Sequence, residues 1–130
     1  MTAGNPYQNF EEHVRTTLSE RTGYTVEKRS EVGKSGNTWQ VDCVLSNSYG
    51  VRKGYVEVKE TNRSSNQSTY INHMRRAYAE MGDFRNVDVP KAVVVAEKWD
   101  FGGIDWDAMF DSIDCLLLDI EDLSRFEDQV

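Results

Sequence analysis

Apolar residues along the chain recur with two periods, and the switches between them set out an order of elements. Across residues 9–21, Phe10, Val14, Thr17 and Leu18 form one stripe at helical spacing, and Gly23 stops the run. Residues 24–29 alternate as a first strand, and Gly33, Ser35, Gly36 and Asn37 form a turn cluster behind it. Residues 39–45 and 54–59 read as two further strands. The polar stretch between them contains Gly50, so they are expected to form an antiparallel hairpin. A polar link over 60–68 leads into a helix over 69–84, with Ile71, Met74, Tyr78 and Met81 as its inner face. Pro90 precedes a continuous apolar run at 91–96, the pattern of a strand covered on both faces. Gly102-Gly103 then breaks the chain before a helix over 106–113, a buried strand over 115–120 and a short closing helix over 121–126. The order α-β-β-β-α-β-α-β-α, without repeat or linker, predicts a single α/β domain over residues 1–130. Its sheet is expected to be mixed, with helices on both faces.

The second and third strands carry the candidate chemistry. Side chains alternate across a strand, so Glu57 and Lys59 share one face while Val56 and Val58 take the other. By the same count Asp42 sits with Gln40, and Trp39, Val41, Cys43 and Leu45 oppose them. Two carboxylates and an ammonium are thereby expected in one patch. Asp42, Glu57 and the backbone carbonyl of Val58 offer oxygen ligands to a hard cation such as Mg2+, which leaves its other positions to water and a substrate phosphate. A cation so placed shields charge on a phosphodiester under attack, and Lys59 adds a second positive group beside it. Glu11, flanking the stripe of the first helix, is a candidate for the same site; Glu12 is the second choice.

Charge changes the picture in one respect. The formal net charge is −7, yet residues 97–130 hold eleven acidic residues against Lys98 and Arg125, a net of −9. The preceding 96 residues hold thirteen basic against eleven acidic, a net of +2. Within residues 52–76, Arg52, Lys53, Lys59, Arg63, Arg75 and Arg76 face only Glu57 and Glu60. A local basic zone beside a carboxylate site suits a phosphate backbone, and Arg52, Lys53, Arg63, Arg75 and Arg76 are the candidate DNA contacts. Cys43 and Cys115 fall in apolar runs and read as buried free thiols, too few for a zinc site. His13 and His73 read as exposed helix residues, and Asp105 and Asp107 as the cap and first-turn acid of the third helix. Trp39, Trp99 and Trp106 read as packing residues, and Ser64-Ser65-Asn66-Gln67-Ser68 as a mobile loop near the site. The lack of a membrane-length apolar run or a signal peptide predicts a cytoplasmic protein, or one in the host cytoplasm if viral.

Asp42 followed by Glu57-Val-Lys59, on an α-β-β-β-α-β order, resembles the PD-(D/E)XK nuclease superfamily, the restriction-endonuclease-like fold. The likeness is closest to its Mrr-like and archaeal Holliday-junction-resolvase branches and runs from Phe10 to the closing helix. Phe10-Glu11 with Val14 and Leu18, then Gly23-Tyr24-Thr-Val26, is similar to their opening segment. Val41 stands where proline often precedes the aspartate, and Glu57 where Mrr-like members often carry glutamine. The resemblance implies an αβββαβ core with an added C-terminal αβα segment. It further implies metal-dependent hydrolysis of DNA phosphodiesters by an endonuclease, restriction-type or junction-resolving, with Asp42, Glu57, Lys59 and Glu11 as site residues. Mg2+, replaceable by Mn2+, is the cofactor so implied, with no small-molecule cofactor. Cutting both strands with one small domain calls for a homodimer. The alternatives are a silent DNA- or protein-binding module on the same fold, and a nuclease directed at RNA.

Overall fold

The computed structural model describes residues 6–61, 66–99 and 103–130, with side chains from Phe10 onward. Arg63, the Ser64-Ser65 part of the loop and Gly102 lie outside the described residues. The elements are α1 (Pro6–Thr22), β1 (Thr25–Val32), β2 (Thr38–Ser46), β3 (Arg52–Lys59), α2 (Gln67–Asp83), β4 (Lys91–Val95), α3 (Trp106–Asp111), β5 (Cys115–Asp119) and α4 (Ser124–Glu127), with a 3-10 turn at Ile120–Asp122 before the last. The five strands form one mixed sheet in the order β1-β2-β3-β4-β5. The first three are antiparallel neighbours, while β4 runs parallel to both β3 and β5. Parallel neighbours need a crossover connection, which α2 and α3 supply.

Local chemistry explains where the elements stop. The N–H of Gly23 bonds the Ser19 carbonyl at 3.0 Å and its φ of +74° turns the chain out of α1, a conformation that favours glycine. Between β2 and β3 the Asn47 side chain accepts from the N–H groups of Tyr49 and Val51 at 2.9 and 3.0 Å, closing a short turn. Asn66 caps α2 by accepting from the Thr69 N–H at 2.8 Å. At the other end of α2, the Asp83 carboxylate takes Ser35 N–H, Ser35 O–H and Trp39 Nε1–H, tying the β1–β2 turn to the helix.

Both faces of the sheet are covered. Val44, Tyr55, Val93, Val95 and Leu117 pack against Met74, Ala77 and Met81 of α2 and Trp106 and Phe110 of α3. Cys43, Leu45, Val56, Val58, Ala92, Val94 and Leu118 pack against Val14 and Leu18 of α1 and Phe126 of α4. All five residues of β4 are buried, as its unbroken apolar run requires. Its first residue is Lys91, whose ammonium donates to the carbonyls of Val87 and Val89 at 2.6 and 3.1 Å. Strand β1 forms an edge and is mostly exposed.

Three expectations are corrected here. Gln67 and Ser68, expected in the loop, form the first turn of α2, because the Asn66 cap starts the helix there. Simple alternation puts Val41 on the same face as Cys43 and Leu45, but Val41 packs on the α2 side together with Val44. The cause is a bulge: Glu27 pairs Val44 and Arg29 pairs Val41, so Asp42 and Cys43 together oppose Lys28 alone. The buried face of α2 is also rotated from the expected one, running through Tyr70, Met74, Ala77, Glu80 and Met81, with Ile71 and Tyr78 half-buried beside it.

Candidate functional site

The bulge places Asp42 where the hairpin opens. Antiparallel pairing of β2 with β3 ends at Cys43 and Val56, so the next backbone groups lack a ladder partner. Side chains take over. The Asp42 carboxylate accepts from the Val58 N–H at 2.9 Å, and Glu57 Oε1 accepts from the Asp42 N–H at 3.3 Å. The two acids are thus locked to each other's strands, and both are buried. Strand parity turns Glu57 and Lys59 toward α2, with Val56 and Val58 facing α1. The Lys59 ammonium stands 3.1 Å from Glu57 Oε2.

The electrostatics of this arrangement are strained. Burial, then the charge of Glu57, pushes the Asp42 carboxyl up to about 8. Burial, then the charge of Glu80, pushes Glu57 up to about 7. Glu80, 4 % exposed, projects from the apolar face of α2 toward this pair, and burial raises its own pKa. One of its carboxylate oxygens has no hydrogen-bond partner among the described residues. Buried carboxylates crowded together retain protons that exposed ones lose.

On the α1 side the balance differs. Arg15 donates to Glu11 at 2.8 Å and to the Asp42 carbonyl at 3.2 Å. Lys28, facing the bulge from β1, has its ammonium 3.5 Å from Glu11 Oε1 and 3.7 Å from Asp42 Oδ1. Burial works to raise the pKa of Glu11, but hydrogen bonds with Asp42 and Arg15 and the charges of Lys28 and Arg15 outweigh it and hold the carboxylate below its ordinary value. Between α1 and the start of α2, at the end of β3, lies a cleft of about 390 Å³ lined by Phe10, Glu11, Val58, Lys59, Glu60, Asn66, Thr69 and His73. His73 is depressed below its ordinary pKa by partial burial and by the charges of Lys59 and Arg76.

Asp42, Glu57, Val58, Lys59 and Glu11 therefore meet at one place. Arg52 and Lys53 do not join them. Arg52 lies at the other end of β3, about 16 Å from Glu57 by strand rise, and it is bound to Glu31 at 2.5 Å and to Ser46 at 3.1 Å. Arg75 and Arg76 are exposed on α2, and the charge of Arg76 acts on His73 and Glu80 at the site. Asp105 caps α3 by accepting from Ala108 N–H at 3.1 Å, and Asp107 pairs with Lys98 at 2.6 Å, so neither contributes here.

Glu80, Lys28 and Arg15 are the participants that sequence reasoning missed. Glu80 had a legible signal, since it stands three residues after Ala77 and next to Met81 on a buried stripe. Arg15 was readable as an i,i+4 partner of Glu11. Lys28 was not readable, because its position depends on the bulge in another strand. His73, read as an exposed helix residue, is exposed and also lines the cleft near Lys59.

Among the described residues no three His, Cys, Asp or Glu side chains are grouped as a ready-made metal site. Mg2+ asks for less: one or two carboxylates suffice when water and substrate oxygens complete its shell. Asp42 and Glu57 are hard oxygen donors, buried and crowded by each other and by Glu80, and they fit such a cation in kind. No protein-family model, curated protein or solved structure matches the chain.

Proposed function

We propose that the chain is a divalent-cation-dependent nuclease of the PD-(D/E)XK, restriction-endonuclease-like type, an endonuclease acting on DNA. The observation that carries this reading is the pairing of Asp42 with Val58 N–H and of Glu57 with Asp42 N–H across opening strands, with Lys59 beside Glu57. The sheet order, antiparallel through β3 and parallel beyond it, supports the same reading. Asp42, Glu57 and the carbonyl of Val58 would hold Mg2+ or Mn2+, with Glu11 on the opposite flank. Such a cation supplies, when bound, charge that offsets the charge developing on a phosphodiester undergoing hydrolysis. Lys59 lines the cleft, where its ammonium would orient a phosphate oxygen or an attacking water. Arg76 and Arg75, exposed on the adjoining helix, extend the positive surface along the path of a polyanion. A symmetric dimer would let one small domain address two strands.

Plasmid and four-way-junction DNA, incubated with Mg2+ or Mn2+, test the reading. Wild type is expected to cleave, and Asp42→Ala, Glu57→Ala and Lys59→Ala to lose about a hundredfold or more of the rate. Cleavage that survives Glu57→Ala removes the assigned site. RNA in the same assay separates a ribonuclease. A second reading, a binding module on this fold that does not cut, is favoured by the ion pair between Lys59 and Glu57, which occupies both groups. Binding of duplex without cleavage in either cation would establish it.

A further inference from the structure

Three cations surround the acids, and they are held differently. Arg15 is fixed by two hydrogen bonds, to Glu11 and to the backbone of Asp42. Lys59 is 3.1 Å from Glu57 and its side chain is mostly buried. Lys28 stands between Glu11 and Asp42 at 3.5 and 3.7 Å, held by charge at distances longer than a hydrogen bond, with its side chain 40 % exposed. It rises from an edge strand at the residue opposite the bulge, so nothing across the ladder confines it to one partner.

We infer that the Lys28 ammonium, standing between Glu11 and Asp42, competes with the divalent ion for the Asp42 carboxylate, and on displacement turns outward to meet a phosphate of the substrate. The inference rests on the proposed metal-dependent reading of the same site. The physical basis is the charge count. An ammonium and a divalent ion cannot share the Asp42 carboxylate without strong repulsion. Lysine's flexible stem and exposed side chain let it leave at little cost, which the doubly bonded Arg15 cannot do. Cation and polyanion then favour each other's binding, because each keeps Lys28 off the acids the other needs vacated.

Mn2+ titration of the full chain by calorimetry, without nucleic acid, tests this directly. Lys28→Met is expected to bind Mn2+ about tenfold more tightly than wild type, the order of effect of removing one partly screened like charge. Lys28→Arg should stay within about threefold of wild type, and Asp42→Asn should weaken binding both in wild type and when combined with Lys28→Met. Lys28→Gln repeats the measurement should the methionine disturb the edge strand. A labelled short duplex, followed by anisotropy with and without Ca2+, should gain more affinity from Ca2+ in wild type than in Lys28→Met. Mn2+ binding that depends on Asp42 but is unchanged or weaker in Lys28→Met overturns the role of Lys28 and leaves the nuclease reading standing. Failure of every variant and of wild type to bind Mn2+ overturns both.

Discussion

Raising the pH from 5 to 8 in the presence of a chelator is expected to destabilise this protein, against the usual behaviour of acid-rich domains. The perturbation acts on Asp42, Glu57 and Glu80, whose carboxyls are held above their ordinary range chiefly by burial. In the unfolded chain these groups lose their protons near pH 4. The folded protein keeps them until about pH 7 for Glu57 and about pH 8 for Asp42. Between those limits the folded state binds more protons than the unfolded one, so stability falls as pH rises. For Glu57 alone, the change from 4.5 to about 7 corresponds to on the order of 3 kcal/mol. That is a large part of the roughly 5–15 kcal/mol that holds a domain together. Glu11, whose pKa is lowered, contributes stability that is complete by about pH 5, so it does not mask the effect. His73 works the other way: its pKa lies below the ordinary histidine value, so it adds stability as pH rises toward that ordinary value, but it is one exposed group against three buried acids. Urea unfolding followed by circular dichroism should show the midpoint falling by about 1–2 M over this range. Glu80→Gln should flatten the slope by removing one of the repelling charges, and millimolar Mg2+ or Mn2+ should restore stability increasingly toward high pH. A midpoint that is level or rising from pH 5 to 8 in chelator refutes the electrostatic account of the site.

Other outcomes follow from packing and caps. A Cβ at Gly54 would lie 2.8 Å from the Phe126 ring and 3.4 Å from the Pro90 carbonyl, so Gly54→Ala should cost about 1–3 kcal/mol in urea unfolding. Phe126 is fully buried over β3, and Phe126→Ala should cost about 3–5 kcal/mol by the same measurement. Asn66→Ala removes the cap of α2 at the rim of the cleft; about 1 kcal/mol of stability should be lost, with faster amide exchange in the first turn of that helix.

Element order, the two-faced burial of β4 and the shared face of Glu57 and Lys59 were legible in the residues, because periods of 2 and 3.6 are local properties of the chain. The cap at Asp105 and the stop at Gly23 were legible for the same reason, since each depends on backbone groups a few residues away. The surroundings of Asp42 were not. Whether its side chain meets Val58, Glu11 or Lys28 depends on one extra residue in the pairing of β2 with β1, and a bulge is a mismatch between two strands rather than a pattern in either. The rotation of α2 that buries Glu80 is likewise settled by what the helix packs against, and a stripe of Ile71, Met74, Tyr78 and Met81 fits nearly as well by period alone. Local periodicity thus supplied the acids and the lysine, while pairing and packing between distant segments set their spacing, their burial and the cations that stand among them.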